Sequence, residues 1–243
     1  MSGDRHWRRI AGFRVVMSWP QAGYAPPPSK RVSLGARVAG WAGVLLAAAG
    51  AATIGFAIAA QVHAPQPSLT AAGVLGPFGG QAHAPLRRSL PVAVDIPAIG
   101  VHSKLLHLGV NPDGTIRVPS LPTRADEAAW YKYSATPGQM GVSVIEGHVD
   151  SYQGAAVFFR LGALRPGDSI DVTLANGTTA VFRVTGVRRY AKARYPSGTI
   201  YGATGFPALR LITCGGTFDY TTRSYLSSTV VFASLTSVRA AAA

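Results

Sequence analysis

Residues 169–187 read SIDVTLANGTTAVFRVTGV and decide the fold class, because two β-rich runs flank Asn176-Gly177. An Asn-Gly pair between such runs is the strongest short-range signal for a β-hairpin. A short helix or helical turn is predicted over residues 155–164. Many short strands with few helices predict a mostly β protein that forms a closed or nearly closed β-barrel. The other strand candidates are 92–101, 141–147, 209–214 and 228–235.

An apolar segment near the N-terminus predicts a membrane anchor. Residues 38–60 read VAGWAGVLLAAAGAATIGFAIAA and carry no charge. About 20 mostly apolar residues are enough for a helix to span a bilayer. Lys30, Arg31 and Arg37 precede the segment, so the positive-inside rule predicts a cytoplasmic N-terminus and an extracellular C-terminal domain.

The remaining sequence divides around this segment. Residues 1–37 are predicted to form a basic, disordered cytoplasmic arm, and 61–89 a Pro- and Gly-rich linker. Residues 90–243 are predicted to form the β-barrel domain. A cleaved signal peptide is the competing interpretation, because Val62-His63-Ala64 resembles a small-x-small cleavage site. Either interpretation places the β-domain outside the cell.

The chain is strongly basic, with a net charge of +13. Much of this positive charge lies beside the apolar segment, where it indicates the orientation of the protein in the membrane. A nucleic-acid-binding function is disfavoured, because the β-domain is predicted to lie outside the cell. Residues 186–196, GVRRYAKARYP, interleave basic and aromatic side chains. This run fits either an anionic polymer or lipid partner outside the cell, or an ordinary solvated loop.

The sequence contains one cysteine, Cys214, so an internal disulfide and any metal site built on cysteine pairs are excluded. Cys214 ends the apolar strand LRLITC and precedes Gly215-Gly216, which leaves room for a substrate backbone. A lone cysteine is often only a small buried apolar residue. A nucleophilic role requires a partner that favours the thiolate.

His148 is the best candidate for that partner. It follows the strand candidate GVSVIEG, so it also lies at a strand end. A thiol and an imidazole that lie close together each favour the charged form of the other. By pattern alone, however, a single histidine in a β-domain is more often a surface or core residue.

Several motifs in order resemble the sortase family, most closely its actinobacterial class E/F group. They are IPAIGVHSKL, DGTIRVP, Trp130-Tyr131, PGQMG, SVIEGHVDS, LRLITCGG and STVVFA, and together they cover residues 90–236. The resemblance implies a twisted barrel of about eight strands after one N-terminal transmembrane helix. It also implies a thiol transpeptidase that cleaves a Leu-Pro-x-Thr-Gly-like signal between Thr and Gly.

The partners implied by the resemblance are secreted proteins with a C-terminal sorting signal and an amine from a peptidoglycan precursor or a pilin. Cys214 would be the nucleophile, and His148 would be the general acid for the departing amine. No metal or organic cofactor is implied.

Sortases also use an arginine at the active site, and here the sequence departs from the usual pattern. At the start of the strand after the cysteine strand stand Ser227, Ser228 and Thr229. Arg223, in the preceding loop, is therefore the candidate catalytic arginine, and a solvated loop charge is the alternative. Arg210 lies four residues from Cys214 along the strand, about 13 Å away, which is too far for direct contact.

The resemblance also implies substrate-binding positions. Thr213 and Gly215 flank the nucleophile, and Arg194 and Tyr195 fall in the loop that recognises the sorting signal in sortases. Asp150 and Asp219 are possible partners of His148, but loop aspartates are usually turn residues.

Three other function classes are alternatives to a sortase. An L,D-transpeptidase is disfavoured, because Thr213-Cys214-Gly215-Gly216 lacks the Ser-x-Gly-Cys type of segment. A non-catalytic wall-binding β-domain with a structural cysteine remains open. A sortase-like peptidase that passes the acyl group to water also remains open, because the second nucleophile leaves no local mark in the sequence.

Overall fold

The computed structural model describes residues 63–121 and 123–240. The predicted arm (1–37) and membrane anchor (38–60) lie outside these residues. Within the described part, no helix has the length and hydropathy needed to span a bilayer.

Eight strands close into a barrel in the order β1-β2-β3-β4-β9-β10-β8-β7, and β1 pairs with β7 to complete the circle. This confirms the predicted fold class for the β-domain. β5 and β6 form a separate two-stranded sheet. The strands are β1 Pro91–Ile96, β2 Val101–Leu108, β3 Ala128–Tyr131, β4 Gly141–Glu146, β5 Asp150–Ser151, β6 Gly154–Ala155, β7 Ser169–Leu174, β8 Thr179–Ala191, β9 Pro207–Asp219 and β10 Ser224–Arg239.

The helices are short, as predicted. A five-residue α-helix, α1, spans Ser197–Tyr201 in the connection between β8 and β9. The 3-10 helices are Leu69–Ala72, Phe78–Gly80, Pro97–Ile99, Leu161–Ala163 and Lys192–Arg194. Of the predicted helical segment 155–164, only the turn at Leu161–Ala163 is helical.

The hairpin predicted around Asn176-Gly177 is confirmed. The amide of Gly177 donates to the carbonyl of Leu174, and Gly177 takes a φ of 81°, which favours glycine. The second strand, β8, continues to Ala191 because its outer half pairs with β10.

The predicted strand 92–101 is in fact two strands. β1 ends at Ile96, Pro97 starts a 3-10 turn, and Gly100 takes a φ of 68° before β2 begins. The proline ends the first ladder because it has no amide to donate. β2 itself alternates buried and exposed residues from Val101 to Leu105, which is a strand signal that the sequence interpretation missed.

The strands β4, β9 and β10 carry apolar side chains on both faces. Leu211 and Val231 point into the barrel core, whereas Ile212 and Val230 belong to a second cluster outside it. Successive side chains of a strand point to opposite faces, so one strand contributes to both clusters. Ile200 and Tyr201 of α1 cover this second cluster, which is called the outer cluster below.

Part of the predicted linker packs on the barrel. Residues 64–74, called the strap, lie along β8, where the amide of Val74 donates to the carbonyl of Thr185 at 3.0 Å. Ala71 is buried. The strap is therefore fixed to the barrel by main-chain contact, in place of the semi-extended spacer expected from its Pro and Gly content.

The basic run 186–196 supplies much of this contact. Arg188 donates to the carbonyls of Ala72 and Gly73 at 3.0 and 3.1 Å, and Arg189 donates to the Gln66 side chain at 2.7 Å. Lys192 donates to Ser224. These basic side chains bind the chain's own polar groups, which is a structural use that the sequence did not indicate.

The close approach of the strap to β8 predicts a large effect of a small substitution. A Cβ added at Gly186 would lie 2.4 Å from the carbonyl oxygen of Ala72. We expect Gly186→Ala to lower the free energy of unfolding by about 1–3 kcal/mol, because one of the two backbones must shift. For a domain of this size this corresponds to roughly 2–4 °C in Tm per kcal/mol, measurable by circular dichroism.

Gly198→Ala is the matched control, because a Cβ there meets nothing within 4 Å and alanine favours the helix. Its Tm should stay the same or rise. An unchanged Tm for Gly186→Ala would show that the strap is not held tightly on β8.

Candidate active site

Cys214 lies on β9, on the face of the sheet that carries the outer cluster. It follows Ile212 by two residues, so both side chains point to the same side of the strand. Its cross-strand partner on β10 is Ser228, and both residues are buried. The thiol is therefore placed at the edge of an apolar layer outside the barrel core.

The pairing of β4 with β9 relates the positions of His148 and Cys214. The strands are parallel, and the last pair is Glu146 with Ile212. The amide of Gly147 donates to the carbonyl of Ile212 at 3.2 Å, so the contact continues one residue further. His148 lies two residues after Glu146, and Cys214 lies two residues after Ile212. The two predicted catalytic residues thus follow the same residue pair on two adjacent strands.

The imidazole of His148 is buried and held by the connection between β2 and β3. Its Nε2 lies 2.6 Å from the carbonyl oxygen of Pro119. Since a carbonyl only accepts, Nε2 carries the proton in this contact. Burial lowers the pKa of His148 and outweighs the opposite effect of the Pro119 carbonyl. The imidazole is therefore neutral near pH 7 in this conformation.

The two aspartates considered as partners of His148 make other contacts. Asp150 accepts a hydrogen bond from the hydroxyl of Tyr225 on β10, and its partial burial raises its pKa. Asp219 accepts from the amide of Thr221 and the hydroxyl of Thr222, as a turn residue does. The contacts of Asp219 are those of a turn residue, which is the usual role of a loop aspartate.

Arg223 lies at the tip of the hairpin between β9 and β10. It is exposed, and with a φ of 50° it takes the left-handed conformation. The next residue, Ser224, pairs with Asp219, five residues along β9 from Cys214. On a straight strand five residues span about 16 Å, so the hairpin has to bend for its guanidinium to reach the thiol.

Arg210 is buried on the outer face of β9. Its guanidinium packs over the ring of Phe232 at 4.5 Å and donates to the carbonyl of Leu209. Burial lowers the pKa of Arg210 to about 10. These contacts are structural, as its distance from Cys214 along the strand predicted.

The predicted substrate-binding residues fall into three different environments. Thr213 is buried and pairs with Thr229 on the barrel side of β9. Gly215 packs against the same residue, because a Cβ there would lie 2.8 Å from the hydroxyl of Thr229. Arg194 is exposed in the connection after β8.

Tyr195 follows Arg194 and turns inward. Its hydroxyl lies 3.4 Å from that of Tyr201 in α1. Burial raises its pKa, and the charges of Glu146 and Cys214 add to the effect. Of the predicted substrate-binding side chains in the β8–β9 connection, Tyr195 is therefore the one that packs on the outer cluster.

The sequence interpretation missed Glu146, Ser228 and Tyr225 as neighbours of the site. Burial raises the pKa of Glu146 to about 8. Burial and the hydrogen bond to Asp150 raise the pKa of Tyr225, and the charge of Cys214 adds a smaller effect. The one available signal was the charged residue inside the apolar run GVSVIEG.

The arrangement suits nucleophilic chemistry at a thiol, because an imidazole follows the strand that pairs with the cysteine strand. In the described part of the chain, no group of three or more His, Cys, Asp or Glu side chains is arranged to hold a metal ion.

Comparison with known proteins identifies the family of this chain. The sortase domain model matches residues 94–236, which is more than half of the chain. The chain therefore belongs to the sortase family. Its placement in the class E/F group stays a prediction.

Several solved sortases are similar to this chain at low sequence identity. Sortase A from Listeria monocytogenes is 14% identical with a TM-score of 0.46, and the match covers 63% of this chain and 90% of that one. Sortase A from Corynebacterium diphtheriae is 20% identical with a TM-score of 0.45, covering 63% and 62%. Sortase C-1 from Actinomyces oris is 20% identical with a TM-score of 0.46, covering 60% and 73%. No curated protein matches the sequence.

Glu146 predicts a specific pH dependence of stability. Its pKa is about 8 in the folded protein and near 4.5 in the unfolded chain. Between these values the folded state keeps a proton that the unfolded state releases, so the free energy of unfolding falls as pH rises. This contribution is complete below pH 4.5 and is lost as pH passes through about 8. We expect Glu146→Gln to remove it.

The free energy of unfolding is measured in urea from pH 5 to 8, and the value for Glu146→Gln is subtracted from the wild-type value at each pH. The subtraction cancels the effect of His148, whose lowered pKa acts in the opposite direction by removing stability as pH falls below 6.5. Glu127→Gln is the control, because that side chain stays partly in water in a surface ion pair with Arg124. A difference that does not change with pH would contradict the buried position of Glu146.

Proposed function

We propose that this protein is a membrane-anchored sortase that cleaves a Leu-Pro-x-Thr-Gly-like sorting signal between Thr and Gly. The observation that supports the proposal is the parallel pairing of Glu146 on β4 with Ile212 on β9, because His148 and Cys214 each follow this pair by two residues. Membership of the sortase family supports the reaction class.

In the first half of the reaction, the Cys214 thiolate attacks the carbonyl carbon of Thr. The Thr–Gly C–N bond then breaks, and protonated His148 gives its proton to the departing amine of Gly. The product is a thioester between Cys214 and the acyl part of the substrate. Arg223 is the proposed donor to the oxyanion, and Thr213, Gly215, Arg194 and Tyr195 are the proposed substrate contacts.

In the second half, an amine from a peptidoglycan precursor or a pilin attacks the thioester. His148 accepts a proton from that amine, the C–S bond breaks, and the thiolate is regenerated. Because burial lowers the pKa of His148, the protonated form needed in the first half is scarce at neutral pH. Turnover is therefore expected to be slow, with a bell-shaped dependence on pH.

The membrane arrangement belongs to the same proposal. Residues 38–60 would anchor the protein with its N-terminus in the cytoplasm, and residues 90–243 would form the extracellular catalytic domain. The basic residues before the apolar segment support this orientation. The amine acceptor is then a wall or pilus component outside the cell.

Acyl transfer by the full-length protein tests the reaction. The protein, in detergent, is mixed with peptides that carry Leu-Pro-x-Thr-Gly or Leu-Ala-x-Thr-Gly and with oligoglycine or a diamino-acid peptide. We expect cleavage after Thr and capture of the acyl part by the amine. Both products are detected by mass spectrometry. Cys214→Ala and His148→Ala should each lose essentially all activity, because one removes the nucleophile and the other the proton donor.

The other outcomes identify the alternatives. Cleavage without amine capture would indicate a peptidase that uses water. An unreactive Cys214 with no thioester and no cleavage would instead indicate a wall-binding β-domain with a structural cysteine.

The role of Arg223 can be separated from its role in the turn. Arg223→Gly suits the φ of 50° and keeps the hairpin, while it removes the guanidinium. If Arg223 stabilises the oxyanion, kcat/KM should fall by about 10²–10³. Arg165→Ala, at an exposed arginine in another loop, is the control. Full activity of Arg223→Gly would remove Arg223 from the mechanism.

A further inference from the structure

Glu146 is a buried acid whose carboxyl group makes no hydrogen bond within the described residues. Only 1% of the residue is exposed, and both carboxyl oxygens lack a partner there. A buried polar group without a partner destabilises the fold, because it has lost its hydrogen bonds to water. Unsatisfied groups of this kind are rare in native proteins and call for a functional explanation.

The position of Glu146 connects it to the thiol. It pairs with Ile212, and each of these residues lies two positions before a catalytic residue, His148 and Cys214 respectively. Side chains two apart on a strand share a face, about 7 Å from each other. Glu146 therefore occupies the layer next to the reacting atoms on the same face of the sheet.

Two tyrosines lie over this layer. The hydroxyls of Tyr195 and Tyr201 lie 3.4 Å apart, and both tyrosines pack in the outer cluster with Val144 and Ile212. Glu146 shares the face of Val144, two residues before it, and pairs with Ile212. Burial is the main cause of the raised pKa of each tyrosine, and the charge of Glu146 adds to it. The carboxyl group and the two hydroxyls are thus polar groups on the side of the sheet that carries the otherwise apolar outer cluster.

A peptide that reaches the thiol has to enter the layer that contains Glu146 and the two tyrosines. Cys214 is only 4% exposed, so a peptide that reaches it has to open the layer that covers it. The acyl part of the substrate stays bound through both halves of the reaction, whereas the amines enter and leave through solvent. A buried polar group beside the thiol thus suits the acyl part of the peptide.

We propose that Glu146, with the hydroxyls of Tyr195 and Tyr201, forms a polar pocket that selects an uncharged hydrogen-bonding side chain in the acyl part of the sorting peptide. The inference rests on the proposed function and adds a specificity determinant to it. The carboxyl group is mainly protonated at neutral pH, since its pKa is about 8, so it can donate as well as accept. Amide and hydroxyl side chains match such a group. Its distance from Cys214 places the selected side chain within two residues of the attacked carbonyl.

Isosteric peptide pairs test the pocket. Asn against Leu and Thr against Val are compared at each of the four positions before the scissile bond, because each pair differs in hydrogen bonding but little in shape. Dissociation constants are measured by fluorescence anisotropy on full-length Cys214→Ala protein, which binds without turnover. The same series is run on Cys214→Ala combined with Glu146→Met, which keeps the volume, and with Glu146→Gln, which keeps the hydrogen bonding.

At one position the polar peptide should bind about tenfold more tightly than its apolar isostere when residue 146 is Glu or Gln. When residue 146 is Met, the ratio of the affinity for the polar peptide to that for its apolar isostere should fall to about one or below. Equal ratios for Glu and Met at all four positions would overturn the inference, as would a failure of every peptide to bind.

The proposed function is judged separately, by cleavage with Cys214 intact. Peptides that are cleaved without any dependence on residue 146 would overturn the pocket alone. Peptides that are bound according to residue 146 but never cleaved would overturn the proposed reaction alone. Thermal unfolding of Glu146→Met shows that the variant is folded, and its Tm should equal or exceed that of the wild type because the unsatisfied carboxyl group is gone.

Discussion

The candidate active site depends on the parallel pairing of β4 with β9. That ladder ends at Glu146 and Ile212 and is extended by the Gly147 amide, and His148 and Cys214 each follow the last pair by two residues. A slip of one residue would turn every side chain of β4 to the opposite face. The register is held because Ile145 and Leu211 must enter the barrel core while Val144 and Ile212 enter the outer cluster.

Burial then sets the electrostatics of the site. The same apolar layer lowers the pKa of His148 and raises that of Glu146, because it disfavours the charged form of each group. Such groups reduce the stability of the fold, and proteins keep them mainly at functional sites. The layer is completed by α1 and Tyr195, which come from the connection between β8 and β9. That connection therefore supplies both the cover of the site and its polar contacts.

The strap gives the barrel further support. Its backbone approaches β8 so closely that Gly186 has no room for a side chain, and Arg188 binds the strap carbonyls. The basic run that resembles a polymer-binding surface thus has a structural role in part. Arg194 of that run remains exposed beside Tyr195, which packs on the outer cluster.

The sequence by itself determined the features that depend on near neighbours. The hairpin at Asn176-Gly177, the mostly β barrel and the position of His148 after a strand all follow from turn chemistry and the two-residue period of a strand. The predicted strand end at Cys214 is wrong, because pairing with β10 carries β9 five residues further to Asp219. Pro97 and Gly100 also carried a local signal for the break between β1 and β2, although the prediction joined these strands. Only the tertiary structure decided that β4 lies beside β9, that the strap packs on β8, and that Glu146 is buried. The physical reason is that strand pairing and loss of water depend on residues far apart in the chain, and no local pattern specifies which distant segment will cover a given side chain.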